Sequence, residues 1–233
     1  MGFLRDLVWA FIERIPQSYW LALTWLGDSG LLLPAAASVT LWLSLSRRTW
    51  PTARLWVVLF GTTGFVVMCS KLAFLGWGIG SARFNFTGFS GHTSLSGSVW
   101  PVVFWLMASR RTHRVRVAAA FAGWGLAFAI GVSRLALFAH SASEVITGLV
   151  LGVATSAAFL LLQEGRPHSR IPAYLVALGL LLPLTMLSPG TPAPTQSMLE
   201  VIAMWLADTD QVYTREHLLQ GHSAALHRLN PGE

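Results

Sequence analysis

Two histidines and a glutamate are the residues whose types and spacing could support nucleophilic catalysis in this sequence. His140 and Glu144 are four residues apart, a spacing that puts them on the same face of a helix. The carboxylate could then hydrogen-bond one imidazole nitrogen and leave the other free to attack a substrate. His92 would be available as the proton donor to a leaving group.

Cationic and hydrogen-bonding residues accompany the histidines and suit the binding of a phosphate group. Arginine makes bidentate contacts with phosphate. Ser90-Gly91 opens an expected helix, where free backbone N–H groups and the positive end of the helix dipole favour an anion. The phosphate-binding candidates are Lys71, Arg83, Ser90, Gly91 and Arg134. Together these residues predict phosphoryl transfer through a phosphohistidine, without a metal or another cofactor.

The composition indicates that these residues belong to an integral membrane protein. Of the 233 residues, 11% are charged and 54% are hydrophobic, and the mean hydropathy is +0.57. An average soluble domain is roughly 25% charged. Ionisable groups are costly at membrane depth and usually mark a functional site there. This composition excludes disorder and a nucleic-acid partner, and the single cysteine, Cys69, excludes an intrachain disulfide.

The gaps between charged residues predict an all-α polytopic bundle of six transmembrane helices. A span needs about 20 apolar residues, and lipid requires a backbone whose hydrogen bonds are satisfied internally. The spans are expected near 29–45, 54–76, 93–109, 116–137, 141–163 and 171–188. Short interfacial helices are expected over 3–15 and within the C-terminal tail. The chain then divides into a membrane domain, 1–188, and an extracytoplasmic tail, 189–233.

Arginines are distributed unevenly between the two sets of loops. The loops 46–54, 109–116 and 164–170 carry nine arginines and one acidic residue, Glu164. The positive-inside rule assigns these loops to the cytoplasm, so both termini and all the candidate site residues are expected on the outer face. Most of the net charge of +6 is then a topology signal and not a nucleic-acid interface.

The motif around the second histidine resembles one of the type 2 phosphatidic acid phosphatase superfamily. That family has three motifs: K-x6-R-P, P-S-G-H and S-R-x5-H-x3-D. The third motif reads here as Ser133-Arg134, five residues, His140, three residues and Glu144. Its spacing is intact, and Glu stands in place of Asp.

The other two motifs are present with departures from the family pattern. The second reads Phe89-Ser90-Gly91-His92, with Phe in place of Pro. In the first, Lys71 and Arg83 are separated by 11 residues instead of six, and Phe84 stands in place of Pro. The resemblance covers about residues 71–144.

The resemblance implies a membrane-bound phosphatase that hydrolyses lipid phosphates without a metal. His140 would be the nucleophile, Glu144 its orienting carboxylate and His92 the general acid. The phosphate would be held by Lys71, Arg83, Ser90, Gly91 and Arg134. The implied setting is the bacterial inner membrane, with the site on the periplasmic face. The candidate substrates are undecaprenyl pyrophosphate, phosphatidic acid, phosphatidylglycerol phosphate and lipid A phosphate.

Three other functions are compatible with the same residues. A phosphotransferase would pass the phosphohistidine to another lipid instead of water. A non-enzymatic transporter would use the cations to hold a phosphate. A metallohydrolase would use His92, His140 and Glu144 as ligands of a catalytic zinc ion, although the arginines would repel the metal. The sequence indicates neither a protein partner nor an oligomeric state.

Some residues near the site have structural explanations. Asp28 precedes Ser29 and is expected to cap the first span. Lys71 could extend along the helix to the headgroups. Small residues such as Gly123, Gly148 and Gly152 are expected to let helices approach one another closely.

Overall fold

The structure is a computed structural model that describes residue 10, residues 12–164 and residues 195–221. Its helices are α1 Gln17–Trp25, α2 Ser29–Ser44, α3 Trp50–Trp77, α4 Gly91–Met107, α5 His113–Ala136, α6 Ala142–Leu162 and α7 Thr195–Ala207. A 3₁₀ turn, Arg47–Thr49, joins α2 to α3, and Ser81 pairs with Phe86 in an isolated β-bridge. The described residues therefore confirm the all-α class.

Four helical stretches are long and apolar enough to cross a membrane, and they mark the chain as a membrane protein. They are Gln17–Ser44, Arg47–Trp77, His113–Ala136 and Ala142–Leu162, and they correspond to the spans predicted near 29–45, 54–76, 116–137 and 141–163. The count of six spans is not confirmed. The span predicted near 93–109 corresponds to α4, which has 17 residues, and 171–188 lies outside the described residues.

Helix α4 lies at the centre of the bundle and packs against α5 and α6. Most of its residues are buried, including apolar Val99 and Leu106 and the hydroxyl residues Ser94 and Ser98. Ser94 Oγ donates to Ser90 O, and Ser98 Oγ donates to Ser94 O. Because these hydroxyls are satisfied within the helix itself, α4 can be enclosed by other helices despite its polar content.

Glycines bring the backbones of α4 and α6 into direct contact near the predicted site. A Cβ atom at Gly152 would collide with Ser94 O, and one at Gly148 would lie 2.9 Å from Ser90 O. Any larger side chain would push the two helices apart. The close approach of helices that the sequence predicts at Gly148 and Gly152 is therefore present.

From α2 to α6, successive helices of the bundle run in opposite directions, so one end collects the predicted site residues. Helices α2, α4 and α6 begin at this end, which we call the site end, and α3 and α5 finish there. The arginine-rich loops 46–54 and 109–116 lie at the opposite end. The bundle thus separates the candidate chemistry from most of the loop arginines.

The C-terminal tail packs against α3 at the site end. Thr195 Oγ1, at the start of α7, shares a 3.0 Å hydrogen bond with Ser29 Oγ. The Tyr213 N–H donates to Leu75 O at 2.8 Å. Helix α7 corresponds to the helix predicted within the tail, whereas most of the interfacial helix predicted over 3–15 lies outside the described residues.

Candidate active site

His140 lies in the short loop between α5 and α6, and the local structure fixes its position. Phe138 adopts a left-handed conformation with φ of 52° just after α5 ends, and the His140 N–H donates to Arg134 O at 3.3 Å. Ser141 then caps α6 in a capping box with Glu144. Because α6 begins directly after the histidine, His140 Nδ1 lies 2.7 Å from Glu144 Oε2.

The Glu144 side chain is fully buried, and hydrogen-bond donors surround its carboxylate. Oε1 accepts from the N–H and the hydroxyl of Thr87, at 2.8 and 2.6 Å. Oε2 accepts from the Ser141 N–H at 3.1 Å, and Arg215 Nη2 contacts both oxygens. A buried carboxylate needs such partners to offset its desolvation. A carboxylate held in this way can orient the His140 ring: a proton on Nδ1 would be donated to Glu144, and Nε2 would then be available to a substrate.

The surroundings of His140 favour its neutral form. Burial lowers the pKa of His140 below its ordinary value, and the charges of Arg134 and Lys71 act in the same direction. The hydrogen bond and the negative charge of Glu144 oppose this lowering without reversing it. The neutral ring of His140 is therefore favoured over the protonated one.

His92 lies in the first turn of α4 at the site end. Its Nε2 is 3.7 Å from Oδ2 of Asp28. Asp28 caps α2, as predicted, by accepting a 2.7 Å hydrogen bond from the Gly30 N–H. The charges of Arg134 and His140 also act on His92. The two histidines therefore belong to one cluster and not to opposite ends of the bundle.

The start of α4 offers backbone N–H groups to an anion. The Ser90 N–H donates to Glu144 O at 3.1 Å, and its hydroxyl shares a hydrogen bond with Thr93 Oγ1 and does not cap the helix. The N–H groups of the first helical turn have no intrahelical partner and suit a phosphate. Space beside Gly91 is open, since a Cβ atom there would meet Val67 at 4.0 Å.

Two of the predicted cations stand beside the histidines. Arg134, in the last turn of α5, donates from Nη1 to Thr24 Oγ1 at 2.8 Å. Lys71 Nζ donates to Gln196 Oε1 of the tail at 3.2 Å. Lys71 interacts electrostatically with both Arg134 and Glu144. These two cations can therefore compensate the negative charge of a phosphate bound near His140.

Arg83 is the predicted phosphate ligand that the structure does not bring to the histidines. Helix α3 ends at Trp77, and the following chain forms a small hairpin closed by the bridge between Ser81 and Phe86. Arg83 is exposed in this hairpin, with its guanidinium carbon 5.5 Å from the ring centroid of Phe84. Its contacts within the described part of the chain include neither histidine.

Three residues that the sequence does not assign to the site lie against its candidate residues: Asp28 is near His92, and Thr87 and Arg215 contact Glu144. Asp28 was expected to act as a helix cap, and its charge at a span end on the predicted outer face was the signal for a further role. Thr87 has no distinctive pattern around it. Arg215 is an isolated cation in the tail, and only the packing of the tail on α3 brings it to Glu144.

The arrangement of side chains does not favour a metal ion. In the ranges that the structure describes, no group of three His, Cys, Asp or Glu side chains could hold one. His140 Nδ1 and Glu144 are engaged with each other, and the neighbouring cations would repel a metal. The metallohydrolase alternative therefore has no ligand set in this part of the chain.

Comparison with known proteins identifies the family. The model of the PAP2 superfamily matches residues 74–167, a segment that contains His92, His140 and Glu144. A protein of Klebsiella pneumoniae, described as an uncharacterized 22.5 kDa protein in the cps region, is 44% identical over 202 residues. That match covers 85% of this chain and 97% of the relative. No solved structure matches the chain.

The chain belongs to the PAP2 superfamily, as the motif resemblance predicts. Members of this superfamily are phosphatases, which supports an activity on phosphate esters. This is therefore a helical membrane protein of a phosphatase family.

Proposed function

We propose that the protein is a membrane-embedded phosphatase that hydrolyses the phosphomonoester or pyrophosphate of a lipid through a phosphohistidine. One observation carries the proposal. His140, oriented by Glu144, lies with His92, Lys71 and Arg134 at one end of an apolar helical bundle. A lipid tail between or beside the helices would bring its phosphate to that end.

The proposed reaction has two steps. His140 Nε2 attacks phosphorus, and the bond from phosphorus to the leaving oxygen breaks while His92 gives that oxygen a proton. Water then attacks the phosphohistidine, His92 accepts a proton from it, and inorganic phosphate leaves with His140 regenerated. Lys71, Arg134 and the first-turn N–H groups of α4 stabilise the charge that develops on the phosphoryl oxygens.

The proposed location is the bacterial inner membrane, with the site on the periplasmic face and both termini extracytoplasmic. The position of the site end, opposite the arginine-rich loops, supports this orientation. Undecaprenyl pyrophosphate is the first substrate to test, followed by phosphatidic acid, phosphatidylglycerol phosphate and lipid A phosphate. In this setting, the exposed position of Arg83 suits a contact with an arriving headgroup.

Phosphate release from purified lipid phosphates tests the proposal. The wild type in detergent is compared with His140→Ala on each of the four lipids, with His113→Ala at the opposite end of the bundle as the matched control. We expect His140→Ala to lower the rate by roughly 10³-fold or more, because the covalent nucleophile has no substitute. We expect His113→Ala to match the wild type.

A substrate with a radiolabelled phosphate distinguishes a phosphatase from a phosphotransferase and from a transporter. An acid-labile phosphoprotein that forms in the wild type and is absent in His140→Ala is the expected result. Transfer of the label to an added lipid acceptor instead of water would make the protein a phosphotransferase. The third possible result is that the wild type releases no phosphate, while phosphate-dependent flux into vesicles persists in His140→Ala. That result would contradict the phosphatase and indicate a transporter.

A further inference from the structure

Arg215, from the C-terminal tail, makes two contacts with the carboxylate that orients the nucleophile. Its Nη2 lies 2.9 Å from Glu144 Oε1 and 2.8 Å from Oε2. Its Nη1 donates to the carbonyl oxygen and to the side-chain Oδ1 of Asn85, at 3.1 and 2.6 Å. The guanidinium is therefore held between the hairpin that precedes α4 and the first turn of α6.

The chain around Arg215 is held in place by backbone contacts. Two residues earlier, the Tyr213 N–H donates to Leu75 O near the end of α3. Tyr213 also packs over Gly78, where a Cβ atom would lie 2.9 Å from its ring. A backbone hydrogen bond to α3 and the packing of Tyr213 on Gly78 thus position a segment that lies 71 residues beyond Glu144 in the sequence.

Charge distinguishes Arg215 from the other partners of Glu144. Thr87, Ser141 and the neutral ring of His140 supply hydrogen bonds to the carboxylate without supplying a full positive charge. Among the described residues in hydrogen-bond contact with this buried carboxylate, Arg215 alone is permanently cationic. A buried carboxylate that lacks such a cation gains stability when its histidine partner takes a proton.

We propose that Arg215 is a positioning residue of the active site: it neutralises Glu144 and so keeps His140 oriented and unprotonated. This inference rests on the proposed function, because it concerns the nucleophile of that reaction. It makes the C-terminal tail a part of the catalytic centre and not an appendage of the membrane domain.

The charged groups around His140 determine whether loss of the Arg215 charge raises or lowers the pKa of His140. Glu144 on α6, Arg134 on α5, Lys71 on α3 and His92 on α4 act on His140 directly, Arg215 acts through its contact with Glu144, and Asp28, at the start of α2, lies beside His92. Glu144 favours the protonated ring, and the cations favour the neutral ring. Removal of the Arg215 charge therefore raises the pKa of His140 and leaves less of the enzyme active at acidic pH.

The pH dependence of kcat/KM tests the inference. Wild type, Arg215→Gln and Arg215→Lys are assayed from pH 5 to 9 on whichever lipid of the four-member panel the wild type hydrolyses fastest. We expect the acid limb of Arg215→Gln to move upward by about one pH unit, as loss of an opposite charge beside a titrating pair predicts. Arg215→Lys keeps the charge, so its acid limb is expected close to that of the wild type even where its rate is lower.

Two further variants separate a charge effect from damage to the fold. Arg14→Gln removes an exposed arginine outside the site and is expected to leave the acid limb unchanged. Asn85→Gly removes the side chain that holds Arg215, at a position with φ of 49° that glycine accepts readily. We expect an upward shift smaller than that of Arg215→Gln. If Arg215→Gln does not yield folded protein by size exclusion in detergent, Asn85→Gly decides the question.

The results distinguish this inference from the proposed function. An acid limb that stays in place in both Arg215→Gln and Asn85→Gly overturns the role of Arg215 while the phosphatase activity stands. An equal shift in Arg14→Gln also overturns it, because the effect would then follow net charge alone. Absence of phosphate release by the wild type on every lipid of the panel would instead remove the proposed function.

Discussion

Each histidine of the site faces a carboxylate, but the two pairs differ in distance and in origin. His140 Nδ1 lies 2.7 Å from Glu144, and both residues belong to one short stretch of chain. His92 Nε2 lies 3.7 Å from Asp28, beyond hydrogen-bond length, and Asp28 comes from the start of a different helix. Glu144 has partners on both oxygens, whereas Asp28 also serves as the cap of α2.

The difference matches the tasks proposed for the two rings. A nucleophile must present one nitrogen in one orientation, which a short hydrogen bond to a fixed carboxylate secures. A general acid must give up a proton and take one back within a single cycle, and a longer contact with an anion assists it without holding the ring in one state. We call His140–Glu144 the short pair and His92–Asp28 the long pair. The comparison predicts that breaking the short pair lowers the catalytic rate much more than breaking the long pair.

Glu144→Gln breaks the short pair and is expected to have the largest effect. The amide keeps the shape of the side chain but can stabilise the wrong tautomer of His140 and leaves Arg215 without its anionic partner. We expect kcat to fall by roughly 10³- to 10⁴-fold, by analogy with a triad whose orienting carboxylate becomes an amide. Phosphate release under saturating lipid measures it, and a loss of less than tenfold would contradict the orienting role.

Glu144→Asp sharpens the same prediction. The shorter side chain cannot reach His140, Thr87 and Arg215 together from the unchanged backbone of α6, so an intermediate loss is expected. Activity equal to that of the wild type would show that the loop at 138–141 adjusts to the missing methylene. The comparison needs both variants at matched folded concentration, measured by size exclusion in detergent.

His92→Gln removes the proposed proton donor. We expect a loss of about 10²- to 10³-fold on a lipid phosphomonoester, which lies within the usual contribution of general acid catalysis. The loss should be much smaller on 4-nitrophenyl phosphate, whose leaving group needs no proton. Equal losses on the two substrates would mean that His92 binds the phosphate and does not protonate the leaving group.

Asp28→Asn breaks the long pair while it preserves the helix cap. Asparagine caps helices as well as aspartate does, so thermal stability in detergent should stay close to that of the wild type. An anion beside an imidazole stabilises the protonated ring, and its removal is expected to lower kcat by about 3- to 10-fold. A loss as large as that of Glu144→Gln would contradict the distinction between the two pairs.

Arg83→Gln removes a charge that lies outside both pairs and gives the smallest expected effect. Because Arg83 is exposed over Phe84, we expect kcat to be unchanged and KM to rise by about 2- to 5-fold, the size of a surface charge contribution. A fall in kcat beyond tenfold would show that the hairpin brings Arg83 to the phosphate during the reaction. Steady-state kinetics at two salt concentrations would distinguish these results.

The sequence predicts the short pair because the information in it is local. Glu144 follows His140 by four residues, and the capping turn that opens α6 brings the two side chains together, although His140 lies in the loop before the helix and not on the helix that the spacing predicts. The positions of His92 and Arg134 at helix ends follow from hydropathy, since the apolar spans begin and end beside them. The alternation of the spans then brings these ends to one side of the bundle.

Tertiary packing decides what the sequence does not reveal. The contact between Asp28 and His92 depends on how α2 lies beside α4, and the contact of Arg215 depends on the docking of the tail on α3. Arg83 of the first family motif is a second example. The motif resemblance predicts that Arg83 holds the phosphate, but 11 residues separate it from Lys71, and this longer stretch contains a hairpin in which Arg83 is exposed.

The contact between α4 and α6 has a consequence for how the site meets the bilayer. At Gly148 and Gly152 the two main chains touch, with no layer of side chains between them that could be compressed or repacked. We therefore expect the start of α4, with His92, and the start of α6, with Glu144, to move together when the outer spans tilt or slide. On this expectation, the distance between His92 and Glu144 would change little between membranes of different thickness.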